Sequence, residues 1–208
     1  MSASLYYFYD PMCSWCWGFE PTKKRLFESL PKGVVVNYVA GGLAPDSDQP
    51  MPVEMQQKLQ SIWQQIQRRL GTQFNFDFWQ DCQPRRSTFP SCRAAIAAGL
   101  QGRQADMILA IQKAYYLRAM NPSDLDTLIT LAEELGLDRD QFEADLSGKE
   151  VEELFEAQLE LTSKMPIQGF PSLVFEVEGH LFPLMLDYEN HESMLTQIHR
   201  CLADASVV

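Results

Sequence analysis

The hydrophobic pattern of the N-terminal part of the chain predicts a strand, a helix and a second strand. Apolar and aromatic residues are contiguous over residues 5–9, and β-branched residues dominate residues 34–39, as is typical of buried strands. Between these runs the apolar residues recur at roughly helical spacing until Pro31 and Gly33 end the segment. A strand–helix–strand order predicts a parallel βαβ unit with a right-handed connection.

The middle of the chain carries the pattern of several helices. A connector rich in Pro, Asp and Ser at residues 44–52 leads into a predicted amphipathic helix that ends at Gly71, its C-terminal cap. The aromatic segment at residues 74–79 fits a short strand and a packed loop equally well. Ser147 and Glu150 have the spacing of a capping box, which predicts the start of a helix. Further helices are predicted over residues 91–100, 104–120 and 123–136, with a short one from residue 138.

The C-terminal part returns to strand patterning. Residues 173–177 and 181–184 are apolar runs on either side of a Glu-Gly-His turn at residues 178–180, which predicts an antiparallel hairpin. An amphipathic helix over residues 194–202 follows. The predicted fold class is therefore α/β, with a βαβ unit, a helical block and then a ββα unit.

The composition is that of a globular chain. Of its 208 residues, 46% are hydrophobic and 22% are charged, and no apolar run is long enough to cross a bilayer. The formal net charge of −11 argues against non-specific binding to nucleic acid or to anionic membranes, so we expect neither as a partner. The N-terminus shows no basic region and no cleavage site, which makes the cytoplasm the expected location.

A closely spaced cysteine pair, Cys13-Ser14-Trp15-Cys16, stands between the first predicted strand and the first predicted helix. This setting places Cys13 at a helix N-terminus, where unpaired backbone N–H groups and the helix dipole favour a thiolate. Cys13 is therefore the predicted nucleophile. Cys16 lies one turn further along, where it can attack back and resolve a mixed disulfide.

The two cysteines could instead be ligands of a zinc ion, but we do not expect a zinc site here. Zinc needs two further Cys or His ligands, usually as a second close pair. Cys82 and Cys92 are too far apart in sequence for such a pair, and the three histidines lie near the other end of the chain. Nothing in the sequence fixes the separation of Cys82 and Cys92 in space, so two unpaired thiols are favoured over a second disulfide.

Residues 10–18, which include the cysteine pair and follow an aromatic strand, resemble the thioredoxin-fold oxidoreductases of the DsbA type. More specifically, they are similar to the cytoplasmic, FrnE-like relatives. The resemblance implies a thioredoxin-like core over residues 1–45 and 148–208, interrupted by a large all-helical insertion over residues 46–147. It also places residues 169–172 at the cis-proline loop of the family.

The resemblance assigns roles to further residues. It implies that the Phe170–Pro171 bond is cis and lies against the sulfurs, and that the Phe170 backbone offers an edge for a substrate chain. Trp15, Trp17 and Phe170 would supply apolar surface for that substrate. The resemblance implies no metal and no cofactor other than a redox-active disulfide between the paired cysteines, with glutathione as a co-substrate.

The sequence departs from the family pattern in two places. Ser14-Trp15 stands where strongly oxidising members have Pro-His, so one cationic contribution to thiolate stabilisation is missing. The strand before the pair carries tyrosines instead of an obvious buried acid, which leaves Asp10 as the nearest candidate for proton transfer.

The expected function is thiol–disulfide oxidoreduction, either exchange or isomerisation, through Cys13 and Cys16. The expected partners are thiol or disulfide substrates, protein or small molecule, and an unidentified thiol reductant or oxidant. Two alternatives stay open at this point. One is a glutathione-dependent transferase or isomerase similar to the kappa class, whose members use a single serine in place of the paired cysteines. The other is a non-enzymatic peptide-binding chaperone or adaptor.

Overall fold

Four strands form the sheet in the computed structural model, which describes residues 3–205. β1 lies at the centre, parallel to β2 and antiparallel to β3, and β4 pairs antiparallel with β3 in the order β2-β1-β3-β4. The predicted parallel pair and the predicted hairpin are both confirmed. The strands are β1 (Ala3–Tyr9), β2 (Val34–Ala40), β3 (Ser172–Val177) and β4 (His180–Pro183).

Nine helices surround this sheet in the part of the chain that the structure describes. All but α1 and α9 lie between β2 and β3, so the predicted α/β class and element order are confirmed. The ends of the predicted core ranges, residues 1–2 and 206–208, lie outside the described residues. The helices are α1 (Ser14–Glu28), α2 (Val53–Leu70), α3 (Phe78–Asp81), α4 (Phe89–Leu100), α5 (Gln104–Leu117), α6 (Leu125–Glu134), α7 (Arg139–Leu146), α8 (Lys149–Lys164) and α9 (His191–Ala205).

The aromatic run of β1 is buried except for the half-buried Tyr6, because the strand is central and covered on both faces. Tyr7 and Tyr9 stack on each other with ring centroids 5.5 Å apart, and the Tyr7 ring also meets the edge of Phe27 from α1 at 5.9 Å. Phe8 points to the other face, where it packs with Val174 of β3. Burying rings on both faces fixes the strand that leads into the cysteine pair.

A second apolar cluster joins the helical block to the N-terminal end of α1. Trp63 of α2 is fully buried at its centre, and its indole N–H donates to the Ser14 hydroxyl at 3.0 Å. The aromatic segment at residues 74–79 packs here as a loop that runs into α3, so the packed-loop alternative is correct and the strand is wrong. The cluster thereby ties the helical block to the residue that follows Cys13.

The predicted capping box is wrong. α8 begins at Lys149, and Gly148 is its N-cap without a side-chain hydrogen bond. The Ser147 hydroxyl instead donates to the Glu143 carbonyl at 3.1 Å, in the last turn of α7. Only two residues separate α7 from α8, so Ser147 lies next to the last turn of α7. Its hydroxyl therefore binds a carbonyl that has no partner within α7.

No helix among residues 3–205 has the length and apolar character that a membrane crossing requires.

Replacing Gly41 by alanine should destabilise the fold. An added Cβ would lie 1.8 Å from the ring of Phe170, so the ring would have to leave its packed position. Overpacking of this kind costs about 1–3 kcal/mol, which urea unfolding measures. In a Phe170→Ala background the same change should cost much less, because the obstructing ring is gone.

Gly99→Ala is the matched control for this prediction. Gly99 lies inside α4, where the nearest atom to an added Cβ belongs to the side chain of Gln104, at 3.3 Å. Alanine is the better helix former, so we expect a stability change below about 1 kcal/mol. Equal stability of Gly41→Ala and the wild type would contradict the close approach of Phe170 to Gly41.

Candidate active site

The cysteine pair begins at the turn between β1 and α1. The Cys13 backbone N–H donates to the Asp10 carbonyl at 3.0 Å, which closes the turn. Cys13 has an extended backbone and is the N-cap of α1, and its carbonyl accepts from the Trp17 N–H at 3.1 Å. The free N–H groups of the first helical turn therefore lie next to the Cys13 side chain.

The two cysteines differ in their access to solvent. Cys13 is 7% exposed and lines a cleft, whereas Cys16 is 0% exposed on the first turn of α1. Both are free thiols. Burial, followed by the adjacent Cys13 thiol, raises the pKa of Cys16 well above its usual value. A molecule in the cleft can therefore reach the Cys13 sulfur, whereas the Cys16 thiol is buried and un-ionised.

The chain segment before β3 lies against the first sulfur. The Phe170–Pro171 peptide bond is cis, and the Cys13 thiol donates to the Phe170 carbonyl at 3.4 Å. Pro171 is buried, and the Phe170 ring packs over Gly41 at the end of β2. The structure therefore brings together residues that are 157 positions apart in the sequence.

The two tryptophans of the motif lie on different sides of α1. Trp15 is half-buried, lines the Cys13 cleft and meets Tyr188 edge-on at 5.4 Å. Trp17 stacks on Tyr116 at 5.8 Å and lines a separate cleft of about 700 Å³. The structure places Trp15, but not Trp17, in the cleft that Cys13 lines.

The Asp10 carboxylate is fully buried and accepts four hydrogen bonds. One oxygen accepts from the Met12 N–H at 2.8 Å. The other accepts from the Leu43 N–H at 2.7 Å, the Thr88 hydroxyl at 2.6 Å and the Cys92 thiol at 3.7 Å. Burial raises the pKa of Asp10 even though these bonds oppose the shift.

These contacts make Asp10 a clamp between loops. Met12 precedes Cys13, Leu43 follows β2, and Thr88 is the N-cap of α4. The sequence analysis missed Leu43, Thr88 and Cys92 as partners, and only the Asp-Pro turn after β1 hinted at a fixed carboxylate. A role of Asp10 in proton transfer stays a prediction.

Tyr7 is a further residue that the sequence analysis did not assign to the site. Its hydroxyl is buried and lies beside the Cys16 thiol. Burial, with the neighbouring sulfur as the next cause, raises the pKa of this phenol well above its usual value. Tyr7 therefore places an un-ionised hydroxyl beside Cys16, on the strand that carries no buried acid.

The remaining cysteines do not assemble a metal site. The Cys82 thiol donates to the Ala119 carbonyl at 3.0 Å, and Cys92 is bound to Asp10, so both are free thiols in separate places. Within residues 3–205, no group of three or more His, Cys, Asp or Glu side chains is arranged to hold a metal ion.

Comparison with known proteins supports the fold. A family model described as thioredoxin matches residues 6–180. The curated relatives include the ClpXP adapter protein SpxH of Bacillus subtilis, 26% identical over 202 residues that cover 93% of this chain and 67% of the relative. The SpxH of Halalkalibacterium halodurans is 27% identical over 207 residues, covering 92% and 67%.

Solved structures resemble the chain over nearly its full length. A proposed protein disulfide isomerase from Nitrosomonas europaea matches with a TM-score of 0.84 and 25% identity, covering 98% of both chains. The cytosolic disulfide reductase DsbM from Pseudomonas aeruginosa matches with a TM-score of 0.80 and 26% identity, covering 97% of this chain and 100% of DsbM. A structure of DsbM with GSH also matches, with a TM-score of 0.73. The predicted thioredoxin-like fold of the DsbA type is confirmed.

Replacing Asp10 by asparagine should destabilise the chain by about 1–3 kcal/mol. The amide group that replaces one carboxylate oxygen donates and cannot accept, so in either orientation of the asparagine one set of bonds is lost: the bond from Met12, or the bonds from Leu43 and Thr88. Asp138→Asn is the control: Asp138 is the exposed N-cap of α7, where asparagine serves equally well, and we expect a change below about 0.5 kcal/mol.

The stability difference between the wild type and Asp10→Asn should depend on pH with a defined sign. The folded-state pKa of Asp10 is raised above the unfolded value of about 3.9. Protonated Asp10 then adds to the free energy of unfolding. This stabilisation is fully present below about pH 4 and declines as pH rises through the folded-state pKa. Urea unfolding of both chains between pH 4 and 8 measures this decline. A difference that instead grows with pH would contradict a raised pKa.

Proposed function

The chain belongs to the thioredoxin family, and we propose that it is a thiol–disulfide oxidoreductase with Cys13 as the nucleophile and Cys16 as the resolving thiol. One observation carries the proposal: of the two sulfurs, only that of Cys13 lines a cleft, and it lies at the N-terminus of α1. Cys16 is completely buried behind it. This asymmetry supports attack by the outer sulfur and closure by the inner one.

The proposed exchange conserves atoms and electrons. The Cys13 thiolate attacks one sulfur of the substrate disulfide, forming a Cys13–substrate bond and releasing the other half as a thiolate that takes up a proton. Cys16 then loses its proton and attacks the Cys13 sulfur, which forms the Cys13–Cys16 disulfide and releases the second substrate thiol. Two electrons have passed from the protein to the substrate.

The contact between Cys13 and Phe170 supports a way of holding the substrate. In the resting thiol form, Cys13 donates to the Phe170 carbonyl. A thiolate has no proton to donate, so ionisation frees this carbonyl to accept a backbone N–H of a bound chain. Trp15 lies at the same cleft and supplies apolar surface beside the reacting sulfur.

We propose reduction of disulfides in the cytoplasm as the direction of the reaction, with glutathione as the thiol that restores the dithiol. Two equivalents of glutathione would reduce the Cys13–Cys16 disulfide and leave as glutathione disulfide. The similarity to a cytosolic disulfide reductase that has a structure with GSH supports both points. The substrates are disulfides of proteins or small molecules.

The Cys16→Ser variant should accumulate a mixed disulfide at Cys13, because the resolving thiol is missing, whereas Cys13→Ser should trap none. Incubation with a disulfide-bonded peptide, acid quenching and intact-mass analysis measure the adduct. Cys13→Ser should lose steady-state disulfide reduction with glutathione to the background rate, whereas Cys16→Ser should be slower than the wild type, because glutathione from solution has to replace the resolving thiol.

Cys82→Ser and Cys201→Ser are the controls, because both thiols lie outside the Cys13 cleft and should be dispensable. Retention of full exchange activity by Cys13→Ser and by Cys16→Ser would refute the proposal. Glutathione transfer or isomerisation that survives in Cys13→Ala would instead favour the kappa-type alternative.

An adapter role is the second candidate, since the curated relatives from B. subtilis and H. halodurans are named ClpXP adapter protein SpxH. Such a role needs a binding surface and no redox chemistry. Binding of the purified chain to ClpXP should then be equal for the wild type and the Cys13→Ser/Cys16→Ser double variant. Absence of binding by both would remove this candidate.

A further inference from the structure

The cleft beside Cys13 combines apolar surface with two arginines. It has a volume of about 170 Å³, and Leu43 and Ile62 are among its apolar residues. Arg85 and Arg86 line the same cleft. The chain as a whole has a formal net charge of −11, so the positive charge of the cleft that Cys13 lines is opposite in sign to the charge of the whole chain.

The two arginines differ in whether their charge is compensated. The Arg85 guanidinium donates to the Asp124 carboxylate at 2.6 Å and to the Ser123 carbonyl at 2.7 Å. Arg86 is half-buried, and within residues 3–205 it makes no ion pair or hydrogen bond. A partly desolvated cation without a carboxylate partner attracts an anion from solution.

The backbone that carries Arg86 is held in place. The next residue, Ser87, accepts the Ser47 N–H on its hydroxyl at 3.2 Å. The residue after that, Thr88, donates to the Asp10 carboxylate, which also fixes the turn before Cys13. The arginine and the nucleophile are therefore attached to one buried clamp, and a ligand bound by one is held at a defined distance from the other.

We propose that Arg86 is a specificity-determining residue that binds a carboxylate of the substrate, so that the site prefers small thiols and disulfides with a carboxylate close to sulfur. This inference rests on the proposed exchange at Cys13. A guanidinium can hold a carboxylate through two parallel N–H bonds, which orients the attached sulfur. Acidic thiols of low molecular weight and acidic cysteine-containing protein segments share this chemistry, and the cleft volume favours the former.

Three small symmetrical disulfides of different charge test the proposal: dithiodipropionate (anionic), hydroxyethyl disulfide (neutral) and cystamine (cationic). Arg86→Gln should lower kcat/KM for dithiodipropionate by about 10- to 100-fold, the value of one charge-assisted hydrogen-bonded pair. The rate with hydroxyethyl disulfide should change by less than about threefold. Comparing each variant with the wild type on the same substrate removes differences in intrinsic reactivity.

Two further variants separate recognition from simple charge or packing. Arg86→Lys should retain part of the preference for the anionic disulfide, because lysine keeps the positive charge but lacks the two parallel N–H donors of the guanidinium. Arg200→Gln changes the net charge equally on an exposed position of α9 and should leave all three rates unchanged. Added salt should slow the wild type with dithiodipropionate and should have little effect on Arg86→Gln.

Equal slowing of all three substrates by Arg86→Gln, or slowing of none, overturns the proposal. If the wild type reduces none of them and Cys13→Ser behaves identically, the proposed function itself fails, and the two failures are thereby distinguished. Peptide disulfides with Asp or Asn beside the cysteine identify the source of the carboxylate. A selective loss on the Asp peptide adds acidic protein segments to the substrates, whereas loss on dithiodipropionate alone assigns small thiols.

Discussion

The buried Asp10 carboxylate is the interaction on which the candidate site depends. Removing a carboxylate from water is costly unless hydrogen bonds replace its hydration. Here the N–H groups of Met12 and Leu43 and the hydroxyl of Thr88, which come from three different loops, offset part of this cost. These hydrogen bonds to one buried carboxyl group fix the loop that carries Cys13 against the loops that follow β2 and precede α4.

Several features of the site follow from this clamp and from the burial of β1. The central strand directs Cys13 to the N-terminus of α1, and the Phe170 carbonyl reaches the same sulfur from the other half of the chain. The Thr88 arm of the clamp holds the backbone next to Arg86. Cys13 and an uncompensated cation thus line one cleft, and a backbone acceptor lies 3.4 Å from the Cys13 sulfur, while Cys16 stays buried.

The strands, the helix end at residue 71 and the hairpin turn were predicted correctly, because their signals lie in neighbouring residues of the sequence. Runs of β-branched residues, Gly71 at a helix end and the Glu-Gly turn of the hairpin predicted the elements because each depends on its own backbone preferences. The prediction of a capping box at Ser147 failed, because the Ser147 hydroxyl donates to a carbonyl of the preceding helix, α7, instead of capping the following helix, α8. The bond between Asp10 and Thr88 spans 78 residues and has no periodic signature, so neither the clamp nor the placement of Arg86 could be predicted.

In the proposed reaction, Cys13 and Cys16 form one two-electron couple. A redox titration of the wild-type chain in glutathione buffers, with acid quenching, alkylation and peptide mass analysis, tests it most directly. We predict that these two cysteines are oxidised together, with a tenfold change in equilibrium constant for each 30 mV or so, while Cys82, Cys92 and Cys201 remain alkylatable. Oxidation of Cys13 in a bond to any other cysteine of the chain, or no oxidation of either, would contradict the account.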